Sequence, residues 1–160
     1  MSIHDPIHDP IHDPMPAEIL QPGDCVSYRL RRAARTAAKF YDMALKPCGL
    51  RNTQFTLLAS LRRFKEVNIA ELAEALAIDA TTLTRNLDLL VKKGLVENVG
   101  MDDGRIRNLR LSDLGNKTFE EALPLWQEAQ HQVLVALEPE PWYVLRAQLG
   151  KIEVACNPER

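Results

Sequence analysis

The sequence predicts a mainly helical fold with one small β-hairpin set into it, and three observations lead there. Apolar side chains recur at helical spacing over most of the chain from Cys25 to Ile152. Two of the periodic segments are separated by only Ala77 and Ile78 ahead of the next cap, Asp79. Directly after that pair come two short stretches with strand character, LVENV and RIRNLRL, joined by the turn-forming run GMDDG.

With 160 residues the chain has room for one domain with a modest core. Its content, 46% hydrophobic and 26% charged, is that of an ordinary soluble globular protein, and no apolar run approaches the roughly 20 residues of a membrane span. Met1 to Pro14 is acidic and proline-spaced, unlike a secretory signal, so a cytoplasmic location is expected. Cys25, Cys48 and Cys156 form no CxxC pair, which points away from a disulfide framework and from a cysteine zinc site. Charge is segregated along the chain. Residues 1–24 carry five acids and no Lys or Arg, residues 25–111 carry sixteen bases against nine acids, and residues 112–160 carry four bases against eight acids. A basic centre between acidic ends fits a surface that faces a polyanion, although a stretch of this length is sometimes mildly basic for no special reason.

Residues 1–21 are expected to be a disordered tail. The tetrapeptide IHDP repeats three times from Ile3 to Pro14, and a proline at every fourth position bars a helix. His4, His8 and His12 have nothing to fix a ligand geometry, so the tail reads as solvated and not as a metal site. Ordered structure is expected over 22–160 as a single domain. Asp24 can cap a first helix from Cys25 to about Lys46, with Leu30, Ala34, Ala37, Tyr41 and Leu45 as its apolar groups; Pro47 and Gly49 end it. Cys25 would then place its sulfur in the first turn, where the dipole favours thiolate, making it a redox candidate, while Asp24 opposes that effect and simple burial is the plain alternative.

A second helix begins near Asn52 or Thr53, puts Phe55, Leu58 and Leu61 on one face, and finishes with Arg62, Arg63 and Lys65 near its negative end. A break is expected at Val67. Asn68, three residues before Glu71, opens a short helix with Ile69, Leu72, Ala73 and Leu76 inward, ending at Ala77. The next helix follows so closely that the two must meet steeply, as in a helix-turn-helix. At 100° per residue, Leu83, Leu87 and Leu90 share one face, whereas Thr81, Arg85, Asp88 and Lys92 share the other, flanked by Thr82 and Thr84. Short hydroxyls with a guanidinium suit base edges and phosphates in a major groove; an amphipathic surface helix with a solvated face is the plain alternative. Gly94 closes this helix, and the hairpin after it is a wing. Its second strand sets Arg105, Arg107, Leu109 and Leu111 on one parity, so that leucines return to the core while Arg105 and Arg107 project towards a phosphate backbone or minor groove. Asp103 is close enough in sequence to orient Arg105. Ser112 caps a long helix carrying Leu123, Trp126, Val133 and Leu137, with a kink expected at Pro124, and Pro139 or Pro141 starts a last helix through Leu145, Leu149 and Ile152.

An enzyme is not expected. There is no Gly-rich phosphate loop, no metal-ligand cluster and no nucleophile beside a histidine, since His131 is the only histidine outside the tail. No cofactor is implied. A winged-helix module that binds protein instead of DNA is the competing class.

Taken in order, GLRNTQFTLLASL, LAEALAIDATTLTRNLDLLVKKGLVE and DDGRIRNLRLSDLG resemble the MarR (multiple antibiotic resistance regulator) family of bacterial winged helix-turn-helix transcription factors, over nearly all of Cys25 to Ala155. The family's Asp-x-Arg in the wing corresponds to Asp103, Gly104 and Arg105. Ala77 stands where the inter-helix turn often has glycine, and the wing is about one residue shorter than is common. The resemblance implies a repressor of transcription, relieved by a small aromatic effector. It implies terminal dimerisation helices at about 24–46 and 113–156 flanking a winged helix-turn-helix at about 52–111. It further implies a homodimer on double-stranded DNA with a near-palindromic operator, its recognition helices in successive major grooves roughly 34 Å apart. Arg29, Arg32 and Tyr41 on the first helix are the effector contacts it nominates.

Overall fold

The computed structural model describes residues 25–99 and 108–157. The chain divides into two units, residues 1–37 and residues 38–160, with the boundary inside the first helix. That helix, α1, runs Val26–Leu45. In the first unit the Cys25 carbonyl accepts the Arg29 amide at 3.0 Å, and the Thr36 hydroxyl donates back to the Arg32 carbonyl at 3.1 Å.

The second unit begins with the end of α1. A single 3-10 turn, Lys46–Cys48, takes Pro47 near its start and stops at Gly49, whose φ of 65° is the left-handed conformation that glycine adopts freely. Helix α2 spans Asn52–Phe64 and buries Phe55, Leu58 and Leu61, with Leu57 and Gln54 added. At Val67, where the sequence reading placed a break, the chain forms a short strand, β1 (Val67–Asn68), which pairs antiparallel with the hairpin: Val67 opposite Leu109 and Asn68 opposite Asn108. Two residues are too few to show alternation, and the partner strand lies far along the chain, so nothing local signals this pairing.

Helix α3 (Ile69–Leu76) is capped by Asn68, whose side-chain oxygen accepts the Glu71 amide at 2.9 Å. It closes in a Schellman arrangement with Ala77 left-handed at φ 51°: the Ala77 amide reaches the Glu74 carbonyl and the Ile78 amide the Ala73 carbonyl, both at 3.1 Å. Helix α4 (Ala80–Lys92) starts at the cap Asp79 and ends the same way, here with Gly94 at φ 72° and amide bonds of 2.9 Å from Gly94 to Val91 and from Leu95 to Leu90. Strands β2 (Val96–Asn98) and β3 (Asn108–Leu111) follow, with Val96 opposite Leu111 and Glu97 opposite Arg110, giving a three-stranded sheet in the order β1-β3-β2.

Helix α5 (Asp113–Val135) is capped by Ser112 and carries Pro124 within its length; α6 spans Trp142–Cys156 after Pro141. The Ser112 hydroxyl accepts the Gly115 amide at 2.9 Å and donates to the Gly94 carbonyl at 2.6 Å, tying the start of α5 to the end of α4. Gly115 permits this approach, because a Cβ there would overlap the Leu95 carbonyl oxygen.

One core joins the end of α1, helices α2 to α5 and the sheet. Leu45, Leu58, Leu61, Leu72, Leu83, Leu87, Leu90 and Leu109 are all fully buried, and Phe55 stacks on Phe119 at 5.3 Å and Trp126 at 5.6 Å. Arg62 links α2 to α5 by bonding Asn116 and Glu120 at 3.0 Å each while lying over the Phe119 ring. Each buried leucine contributes about 1.5–3 kcal/mol of transfer free energy, so the three leucines of α4 hold that helix far more firmly than its own propensity would.

Candidate nucleic-acid interface

The local sequence of α4 decides what it presents. Its first turn is fixed by Asp79, whose carboxylate accepts the Thr82 amide at 2.9 Å. Hydrogen bonds from the Thr82 side chain and amide, then from the Thr81 amide, with the Arg85 charge nearby, hold the Asp79 carboxyl below the usual carboxylate range. The buried set Leu83, Leu87 and Leu90 then turns the opposite side of the helix to solvent.

On that side Thr81, Thr82, Arg85 and Lys92 are exposed together. Thr84 is different: it is half-buried and its hydroxyl donates to the Ala80 carbonyl at 2.7 Å, so its proton is committed to its own helix. Asn86 likewise donates to the Thr82 carbonyl at 3.0 Å, bracing the flank. Leu89, 51% exposed, lies beside Arg85 on the outer side. A count of polar groups passes over it, although helical spacing alone puts it there; an apolar side chain in that position is suited to a thymine methyl.

The wing is described at its base. Leu109 and Leu111 are buried as their parity requires, while Arg110 on the other face pairs with Glu97 across the strands at 2.6 Å. Asn108 donates to Glu66 at 3.0 Å, fastening β3 to the segment before β1. Asp103, Arg105 and Arg107 lie outside the described residues, so the structure assembles the helix half of the expected interface and not the wing tip.

Arg29 and Arg32 are exposed on α1. Tyr41 is half-buried, with its phenol donating to the Gln130 side chain of α5 at 2.5 Å and burial raising its pKa. Cys25 is an exposed free thiol immediately before α1, and Asp24 lies outside the described residues. Cys48 is half-buried, its thiol pushed up by burial and then by the Glu121 charge. Among the described residues no group of His, Cys, Asp and Glu could hold a metal, and no helix is long and apolar enough to cross a membrane.

A short helix, a turn of three residues, a second helix with an apolar back and a polar front, and an antiparallel hairpin packed against the second helix define a winged helix-turn-helix protein. Comparison with known proteins agrees. A sequence model of the MarR family matches residues 50–100. The M. tuberculosis transcriptional regulator MosR, solved in complex with DNA, superposes with a TM-score of 0.78 at 34% identity, over 85% of this chain and 98% of that one. A cysteine-to-serine mutant of MarR from E. coli, complexed with operator DNA, superposes with a TM-score of 0.73 at 26% identity, over 79% of this chain and 92% of that one. The uncharacterized HTH-type transcriptional regulator YwoH of Bacillus subtilis is 29% identical over 94 residues, 59% of this chain and 69% of its own length. This chain belongs to the MarR family.

Proposed function

We propose that the protein is a sequence-specific DNA-binding transcriptional regulator acting as a homodimer on a near-palindromic operator, a repressor relieved by a small effector. The observation that carries this reading is the outer side of α4: Thr81, Thr82, Arg85 and Lys92 open to solvent above three fully buried leucines. Such a helix can enter a major groove as a rigid body, and the similar proteins solved with DNA support that use of it. Arg105 and Arg107 are assigned to phosphates or the minor groove, with Asp103 orienting Arg105.

Dimerisation is supported by α6, which buries no side chain within this chain and leaves Trp142, Tyr143 and Leu145 at 41%, 66% and 38% exposure. A helix of this length is marginal in water unless an apolar face is covered, and a second copy provides the cover. The effector is proposed to be a small aromatic acid. Of the three residues nominated for it, Arg29 and Arg32 keep exposed side chains on α1, while Tyr41 holds Gln130.

Fluorescence anisotropy on operator duplexes selected from genomic fragments tests the main reading. Arg85→Ala should lose about 1–3 kcal/mol on the selected site and little on random duplex, while Arg105→Ala should weaken both and reduce the salt slope by about one phosphate contact. A protein-only module would bind neither duplex and show no salt dependence, and that result would overturn the proposal.

A further inference from the structure

Where α1 ends and α2 begins, the chain forms an open cleft of about 490 Å³ that reaches the end of α4. Asp42 and Lys46 line it from the first helix and its 3-10 extension, Gly49 and Arg51 from the connection, Gln54 from α2 and Lys93 from the residue that closes α4. Three cations therefore face one carboxylate. That carboxylate is already engaged, since Asp42 Oδ1 accepts the Asn52 amide at 2.7 Å. Lys93 Nζ donates to the Gly49 carbonyl at 3.1 Å and lies 3.5 Å from Gln54 Oε1.

Gln54 is the telling residue. It is only 7% exposed, the one buried polar side chain among the described residues. Its Oε1 accepts the Arg51 amide at 3.1 Å, but its amide nitrogen donates to nothing among the described residues. Among the described residues no fully buried side-chain polar atom lacks a partner, so this nitrogen is not fully enclosed, and the open space that Gln54 lines is the cleft. The first turn of α2 borders the same space; Arg51 at its N-cap makes no side-chain cap bond, because a guanidinium holds no acceptor, and the amides of Arg51 and Asn52 are taken instead by Gln54 and Asp42. The positive end of the α2 dipole adds to the field of the cations. One lysine would suffice to fasten α4 to α2; that role accounts neither for an unused donor on a nearly buried amide nor for Lys46 and Arg51 beside it.

We infer that this cleft binds a small, multiply charged oxyanion, a phosphate ester or polycarboxylate, through Lys46, Arg51, Lys93 and the Gln54 amide. The volume suits a small metabolite. Binding draws Lys93 from the Gly49 carbonyl, and because Lys93 closes α4, occupancy is felt at that helix. The consequence for DNA rests on the function proposed above; the binding itself does not.

Calorimetric titration of the full chain with sodium phosphate, and separately with citrate, at matched ionic strength tests the inference and distinguishes the two anion classes. Wild type and Lys117→Met, an exposed α5 lysine outside the cleft, should show saturable binding of at least one probe. Arg51→Met and Lys93→Met should weaken it roughly tenfold or more, the scale of one lost charge-assisted bond. Gln54→Glu keeps the oxygen that Arg51 and Lys93 use but replaces the donor with a carboxylate, so it should remain folded by circular dichroism and lose the anion. It thereby guards against cleft variants that merely fail to fold. Unsaturable heats from both probes in wild type, or a Gln54→Glu protein that binds as wild type does, would overturn the inference.

Discussion

The two helices of the helix-turn-helix end in the same left-handed turn, one with Ala77 and one with Gly94, and exchanging those residue types should move stability in opposite directions. An L-residue in the left-handed region costs about 1–2 kcal/mol. Glycine at position 77 would remove that cost and add about 0.4–1 kcal/mol of unfolded-chain entropy. The Ala77 side chain is exposed, so no packing is lost, and the net for Ala77→Gly is a stabilisation of about 0.5–1 kcal/mol. At about 2–4 °C per kcal/mol for a protein of this size, the melting temperature should rise by about 1–4 °C. Gly94→Ala is the mirror experiment. A Cβ there meets only Leu114 Cδ2 at 3.8 Å, an ordinary contact, so the backbone cost less the same entropy term leaves a destabilisation of about 0.5–1 kcal/mol. Thermal and urea unfolding of the full chain, followed by circular dichroism with the m-value checked for constancy, reads both changes. A lowered melting temperature for Ala77→Gly, or an unchanged one for Gly94→Ala, would refute the reasoning from φ.

Gly115→Ala should cost about 3 kcal/mol, the upper end for overpacking, because its Cβ meets the Leu95 carbonyl backbone and not a yielding side chain; a loss no larger than that of Gly94→Ala in the same melts would contradict it. Leu87→Ala empties a fully buried position behind the exposed face of α4 and should lose about 2–5 kcal/mol in urea unfolding, whereas a loss under about 1 kcal/mol would mean that α4 is not anchored there. The Asp79 carboxyl titrates below its ordinary value when folded, so its contribution is fully present above that ordinary value and disappears as pH falls through the lowered one. Wild type should therefore lose melting temperature faster than Asp79→Asn as pH drops from about 5 towards 2, a window that starts just above the ordinary Asp value of about 3.9. Parallel curves would remove Asp79 as the group responsible.

Most of the fold is written in short-range terms that the chain states for itself. Asn68, Asp79 and Ser112 each cap a helix through an amide three residues ahead, and Leu83, Leu87 and Leu90 recur at the helical period, so these starts and faces are legible residue by residue. The parity that sends Leu109 and Leu111 inward is equally local. What the tertiary structure alone decided involves partners distant in sequence. Val67 is a strand because Leu109 lies opposite it, Tyr41 is occupied because Gln130 is there, and Gly115 matters because Leu95 passes close by. The hydroxyl of Thr84 had to be seen to be known as spent on Ala80, since helical spacing predicts its side but not its rotamer. Lys46, Arg51, Gln54 and Lys93 carry no common motif, and they meet only because the end of α4 docks where α1 turns into α2. Periodicity and capping act between neighbours that the covalent chain already holds together, whereas contacts between remote segments depend on how whole elements pack, which no local pattern specifies.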